Sequence, residues 1–376
     1  MSENADDLLA KVPAAVRERL ERTGFDAERF RALSARLRSG APEDNVVRGR
    51  VTPPEPGDIA ELPEAGSREH AELEALGRAE LEAGRVALVV LAGGMATRMG
   101  GVVKALVEVL PGRTFLDLRL REMETLEARY GKRPPLWIMT SAATDAGIVQ
   151  ALGPRRDGER IATFLQFLSL RLTPEGDVFY DEAGLPSEHA SGHGDLPEAL
   201  QRSGLIGRFV ERGGRVVMVT NLDNLGGTLD PVIIGFHRAH GLPVTCEVVD
   251  KVGSDRGGIP VRVDGAPCVL EEFRIPKDFD PSTVRVFNTN VFHFDAKALA
   301  ELSIPWTFFR VTKQVEGKPV VQFERLVNEV TSHLPTRYLH VPRTGAASRF
   351  LPVKDTDELD ARRAENELVA RSRGML

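Results

Sequence analysis

Four short runs in this chain, "VALVVLA" (86–92), "PLWIMTS" (135–141), "RVVMVTN" (215–221) and "PVTCEVVD" (243–250), are apolar without polar alternation. A strand with apolar side chains on both faces must be covered on both faces, the condition of a parallel sheet lying between helices. The intervening stretches "FLDLRLREMETLEARYG" (115–131), "LPEALQRSGLIGRFVERGG" (196–214) and "LDPVIIGFHRAHG" (229–241) are helical in pattern, and each ends near glycine. This alternation predicts an α/β fold with a mixed, mostly parallel sheet flanked by helices. Further on, "PVRVDGAPCVLEEF" (260–273) predicts a β-hairpin and "VRVFNTNVFHF" (284–294) one more strand.

Before the first buried run, Leu8, Leu9, Val12, Val16 and Leu20 fall at helical spacing. Residues 41–66 are proline-rich and predict an extended connector, and "SREHAELEALGRAELEAG" (67–84) predicts a helix with Ser67 as its N-cap. The expected organisation is a helical N-terminal extension with its connector (1–84), a catalytic α/β domain (85–345) and a closing segment with a lysine motif and a helix (346–376). A net charge of -6 argues against nucleic-acid or membrane-surface partners. Cys246 and Cys268 allow at most one bridge. The acidic N-terminus lacks the order of a signal peptide, and no apolar run nears the roughly eighteen residues of a membrane span. The chain reads as cytoplasmic.

In open parallel sheets the ligand crevice lies beyond the carboxyl ends of the strands. There the sequence places "AGGMATRMGGVVK" (92–104), "TSAATD" (140–145), "TNLDN" (220–224) and, after a strand at 284–287, "NTN". Gly93 and Gly94 permit close approach of backbone to a ligand, and Lys104 can reach back across a bound phosphate. The alternative is an ordinary strand-to-helix turn with solvated Arg98 and Lys104. Neither G-x-x-x-x-G-K-[ST] nor G-x-G-x-x-G occurs in this loop. Asp223, flanked by Asn221 and Asn224, offers a carboxylate suited to Mg²⁺, although a lone Asp at a strand end is often a turn residue. His189 and His193 have a zinc-like spacing, but Gly192 and Gly194 would break a helix there and no cysteine is near in sequence. Asn288 and Asn290 should share one strand face, while Glu271 and Glu272 should point to opposite faces, leaving one as a ligand.

The order G-G-x-x-T-R-x-G-x-x-x-K (93–104) resembles the signature loop of sugar-nucleotide pyrophosphorylases. "FLQ" (164–166), "SGHGD" (191–195), "VTNLDNLGGTLD" (219–230), "RGGIP" (256–260), "VLEEFRIP" (269–276), "VFNTNVF" (286–292) and "SRFLPVKDTDEL" (348–359) follow in order. They resemble the UDP-sugar pyrophosphorylase family, and most the eukaryotic-type UTP–glucose-1-phosphate uridylyltransferases. The resemblance implies a Rossmann-like, GT-A-like nucleotidyltransferase that joins UTP to a sugar 1-phosphate, glucose 1-phosphate first, with Mg²⁺. It implies that Leu91, Ala92, Gly93, Gly94 and Arg98 meet the nucleotide and that Gln166 and Gly192 read the uracil edge. His193, Asn221, Gly258, Glu271, Asn288 and Asn290 would surround the sugar phosphate. Lys104 and Lys354 would hold phosphates, and Asp223 would bind the metal. Ala96 stands where the family usually has glycine, and "VVK" replaces a frequent proline–lysine pair. "LAGG", "TR" and "WIMTS" lean toward the N-acetylglucosamine branch, whereas "GHGD", "NLDN", "FNTN" and "SRFLPVK" lean toward glucose. The chain's end at Leu376 predicts no β-helical C-terminal domain of the glucose branch and no assembly through one. A non-catalytic UDP-sugar sensor and a UDP-sugar glycosyltransferase are the competing readings. The first would not need Lys104, Asp223 and Lys354 together, and the second would not explain two phosphate lysines.

Overall fold

The computed structural model describes residues 8–40, 45–96, 100–253 and 255–376. Eight strands form its central sheet: β1 (Ile59–Glu61), β2 (Val86–Leu91), β3 (Leu136–Thr140), β4 (Ile161–Leu165), β5 (Val216–Asn221), β6 (Val244–Asp250), β7 (Val286–Asp295) and β8 (Thr336–His340). Their order is β1-β8-β6-β7-β5-β2-β3-β4. All neighbours run parallel except β7, which is antiparallel to both β5 and β6.

The unbroken apolar runs are explained by two cores, one on each face. Val86, Leu88 and Val90 of β2, with Val216 and Met218 of β5, join Leu116 and Met123 from the helix Phe115–Tyr130. Ala87, Val89, Val217 and Val219 point the other way, toward Leu200, Phe209 and Leu299. Burying each such side chain contributes about 1.5–3 kcal/mol, and alternate residues of one strand spend it on opposite layers. The helix Phe115–Tyr130 starts at a Thr114–Asp117 capping box and stops at Gly131 in the left-handed region. Ser67 caps the helix Arg68–Glu82 by accepting from the His70 amide.

One expected helix divides. Residues 196–211 form Leu196–Arg202 and Leu205–Glu211, because Gly204 takes φ 73° between them and ends the first turn sequence. The proline-rich connector is extended and does more than connect. Its Ile59–Glu61 forms the sheet edge, and Val51–Thr52 pairs with the hairpin Ile259–Val263/Ala266–Leu270. The helices Ala14–Arg22 and Ala27–Arg38 bury Val16, Leu20 and Phe30 against Leu168, Leu170 and Phe323. Cys246 and Cys268 are both buried free thiols. Among the described residues no helix is long and apolar enough to cross a membrane.

Candidate active site

β2 ends at Leu91, and the Ala92 amide donates to the Met139 carbonyl at 2.8 Å, so the following loop leaves the sheet between β2 and β3. The Ser141 hydroxyl donates to the Gly93 carbonyl at 2.9 Å. Gln166 follows β4; its amide donates to the Thr140 carbonyl at 2.7 Å. A Cβ on Gly93 would stand 2.7 Å from Gln166 Oε1, so any larger residue would push the end of that side chain aside. The loop then departs from a strand-to-helix turn. Met95–Ala96 pairs antiparallel with Val102–Val103, a short hairpin that returns the chain to Lys104 beside Gly94. Arg98 lies outside the described residues.

Lys104 Nζ reaches Asp223 Oδ2 at 2.6 Å, and the Val353 amide donates to the same oxygen at 3.3 Å. The adjacent Asn224 completes this anchor. Its side-chain amide donates to the Arg349 carbonyl at 3.1 Å, and its Oδ1 accepts from the Leu351 amide at 2.8 Å. The turn after β5 therefore carries the segment that ends in the exposed Lys354. Beneath it, Arg349 pairs with Glu247 of β6 (Nη2–Oε1 2.5 Å, Nε–Oε2 2.9 Å). Burial pushes the Glu247 carboxyl up, but Arg349 and His293 outweigh it and hold it at about 2. Beyond Lys354, Asp355 caps the helix Thr356–Ala361, and Glu358 accepts from the Lys354 amide at 2.8 Å.

Asn288–Asn290 lie inside β7, not after a strand as the sequence suggested. They still reach the crevice, because β7 is antiparallel and its first residues stand beside the carboxyl end of β6. Asn290 adopts φ 59°, so the two-residue alternation expected for Asn288 and Asn290 does not hold. Instead Asn288 Oδ1 accepts from the Asn290 amide at 2.8 Å, and Asn290 Nδ2 donates to Asn221 Oδ1 at 3.0 Å. Glu271 and Glu272 are not strand neighbours either. Glu271 follows the strand Ala266–Leu270, and exposed Glu272 begins a single 3-10 turn, so Glu271 alone faces this group. The Glu271 carboxyl accepts from Asn328 Nδ2 at 2.9 Å. Burial, then Glu272, raises its pKa, against the lowering pull of the Gly258 amide. The Gly258 carbonyl accepts from the Asn288 amide at 2.8 Å, and a Cβ on Gly258 would lie 2.8 Å from Glu271 Oε1.

Gly192 takes φ 95°, and a Cβ there would lie 2.3 Å from the Arg325 carbonyl oxygen. His193 Nδ1 accepts from the Val327 amide at 3.0 Å, which leaves the ring proton on Nε2. His189 Nδ1 donates to the Ala190 carbonyl at 2.9 Å. Burial pulls both histidines down to about 4, so both are neutral near pH 7. Among the described residues no group of three His, Cys, Asp or Glu side chains could hold a metal, which leaves the histidine pair without further zinc ligands.

Sequence reasoning missed Ser141, Asn224 as an anchor, Asn328, Asp195 and Arg325. Asp195 closes the "SGHGD" motif and was in view. Arg325 had no local signal, because its partners are 130 and 127 residues away in the chain.

A family model described as UTP–glucose-1-phosphate uridylyltransferase matches residues 27–369. The UTP–glucose-1-phosphate uridylyltransferase of Saccharomyces cerevisiae is 31% identical over 298 residues, covering 73% of this chain and 58% of its own. That of Astragalus penduliflorus is 30% identical over 296 residues, covering 73% and 61%. The chain thus spans about three-fifths of the length of these two relatives. A mutant UDP-glucose pyrophosphorylase from Leishmania major shares the fold with a TM-score of 0.74 at 23% identity, over 93% of this chain and 78% of that one. The uridine diphosphate N-acetylglucosamine pyrophosphorylase of Trypanosoma brucei also reaches 0.74, at 20% identity, over 96% and 82%.

Proposed function

The chain belongs to the UTP–glucose-1-phosphate uridylyltransferase family, and on that premise we propose that it forms a UDP-sugar and pyrophosphate from UTP and a sugar 1-phosphate. Glucose 1-phosphate is the first choice of sugar, in line with the names of the relatives at about 30% identity. The single observation that carries the reading is the shared carboxylate of Asp223. It holds Lys104 at 2.6 Å and the amide of Val353 at 3.3 Å, so Lys104 and the backbone just before Lys354 meet at one carboxylate.

The sugar-phosphate oxygen would attack the α-phosphorus of UTP, and the pyrophosphate would leave on the opposite side. Such a transfer asks the protein for positioning and charge compensation more than for covalent chemistry. Lys104 would exchange Asp223 for the departing phosphates, and Lys354 would offset charge at the α-phosphate and sugar phosphate. The backbone from Leu91 to Gly94 would lie along the nucleotide, with Gln166 and Gly192 at the base edge. Asn221, Gly258, Glu271, Asn288 and Asn290 would take sugar hydroxyls, and His193 would donate through Nε2. The donor set suits Mg²⁺, which needs only one or two carboxylates; Asp223 Oδ1 accepts no hydrogen bond among the described residues. When bound, the ion would neutralise triphosphate charge. In this reading the sheet is a Rossmann-like, GT-A-like nucleotidyltransferase domain over 85–345, and 346–376 delivers Lys354. The enzyme would work in the cytoplasm on small charged substrates.

Pyrophosphate release from UTP and Mg²⁺ should be measured against a panel of sugar 1-phosphates. Turnover with glucose 1-phosphate well above N-acetylglucosamine 1-phosphate is the expected result. Tight UDP-glucose binding without turnover on any sugar would replace the enzyme by a sensor.

A further inference from the structure

Gln166 and the Gly192 loop arrive from different parts of the sequence, yet one buried ion pair holds both. Asp195 is fully buried, and each of its oxygens is used. Oδ1 accepts from Arg325 Nε at 2.6 Å. Oδ2 accepts from the Ser191 hydroxyl at 2.9 Å and from the Phe167 amide at 3.1 Å. Phe167 directly follows Gln166, and Ser191 directly precedes Gly192. The Arg325 backbone grips the same loop: its amide donates to the Ser191 carbonyl at 2.9 Å, and its carbonyl accepts from the Gly194 amide at 2.9 Å. Its guanidinium, 1% exposed, also pairs with Glu198 and lies over the rings of Phe167, Trp306 and Phe308. Breaking such a pair leaves a buried charge, so the arrangement resists displacement. Both oxygens of Asp195 are thus taken inside the protein, and Arg325 Nη1 lies 2.9 Å from Glu198 Oε2.

We propose that Asp195 and Arg325 are positioning residues for base selection: they set the spacing between Gln166 and the Gly192 loop, and that spacing excludes bases other than uracil. The inference rests on the reading of Gln166 and Gly192 as the base edge. A slot of fixed width discriminates because a wrong base leaves its own or the wall's polar groups unpaired. If the wall loosens, this penalty falls for every competitor at once.

The test is the ratio of kcat/KM for UTP to that for CTP, measured with glucose 1-phosphate in the parent protein and its variants. A lower fraction of folded enzyme cancels in this ratio, so a purely structural role leaves it unmoved. Asp195→Asn removes the charge and should lower the ratio about tenfold, the scale of one buried hydrogen bond left unmade. Ser191→Ala, which keeps the ion pair and provides for a failure of Asp195→Asn to fold, should lower it by about threefold. Gln166→Ala separates the two levels. In the double variant Gln166→Ala/Ser191→Ala the effects should fall short of multiplying, because both act through one slot. If Gln166→Ala shifts the ratio while neither Asp195→Asn nor Ser191→Ala does, the positioning role is overturned. If Gln166→Ala itself leaves the ratio at the parent value, the base-edge reading fails, and this inference falls with it.

Discussion

At the wall around Gln166 the polar groups are committed to one another, whereas at the edge around Asp223 they are held in reserve. The wall's cation, Arg325, is 1% exposed and fixed between carboxylates and aromatic rings. The edge's cation, Lys104, is 24% exposed and has one short contact, to a carboxylate that is itself partly open. A dry pair cannot exchange partners cheaply, so it can set a shape; a wetted pair can, so it can hand its charge to a ligand. Both regions hang on the same sheet, one beyond β4 and the other beyond β5. What separates them is how much water the surrounding chain excludes.

The comparison breaks most directly at Asp223. Asp223→Asn should lower turnover by about a thousandfold with little change in melting temperature, since it removes a charge at a loop. Rates across a Mg²⁺ titration, recorded beside a melting curve, check this; normal activity at low Mg²⁺ would remove the edge's metal role. Arg349→Met should act in the opposite way, through stability. It leaves the buried Glu247 with His293 as its one remaining side-chain partner among the described residues, and urea unfolding should show a loss of about 4 kcal/mol. The double variant Arg349→Met/Glu247→Leu should regain most of that.

Lys354→Ala comes next. It should cut kcat by about a hundredfold, or about 3 kcal/mol, while UTP affinity moves far less. A plain surface lysine would change the rate by less than about twofold, as exposed charges do. The wall supplies the pH prediction. His189 has its folded pKa depressed from 6.5 to about 4 by burial, so between those values the unfolded chain binds the extra proton. Its stabilising contribution is complete above pH 6.5 and is lost as pH falls toward 4, up to roughly 3 kcal/mol. Asp195, pushed up to about 6 by burial, opposes this over the same window: its term is complete below its ordinary value and is lost as pH rises through 6. Melting curves of His189→Gln against the parent from pH 7 to 4 should isolate the histidine term, and parallel curves would dismiss it. The smallest effect is expected of Gly93→Ala. Its Cβ meets only the movable end of Gln166 and otherwise ordinary contacts, so base preference should weaken about tenfold at nearly unchanged stability. Gly192→Ala, by contrast, meets the Arg325 backbone and should cost stability.

The layered sheet was legible because its cause is local. Unalternating apolar runs between amphipathic helices admit few other arrangements, and β2, β3, β5 and β6 fall where those runs lie. Asn221 at the end of β5 and Asp223 in the turn after it were legible for a similar reason, since a polar cluster where a buried strand ends must emerge at the sheet's edge. Three things needed the folded chain. The direction of β7 brings Asn288 to the crevice, and strand direction has no period to read. The left-handed backbone of Asn290 and the turn after Leu270 changed which side chains meet, and both follow from packing against neighbours distant in sequence. The pairing of Asp195 with Arg325 depends on burial. An arginine in "FERLVNEV" is an ordinary surface residue until other segments close over it and make its charge costly enough to demand that one carboxylate.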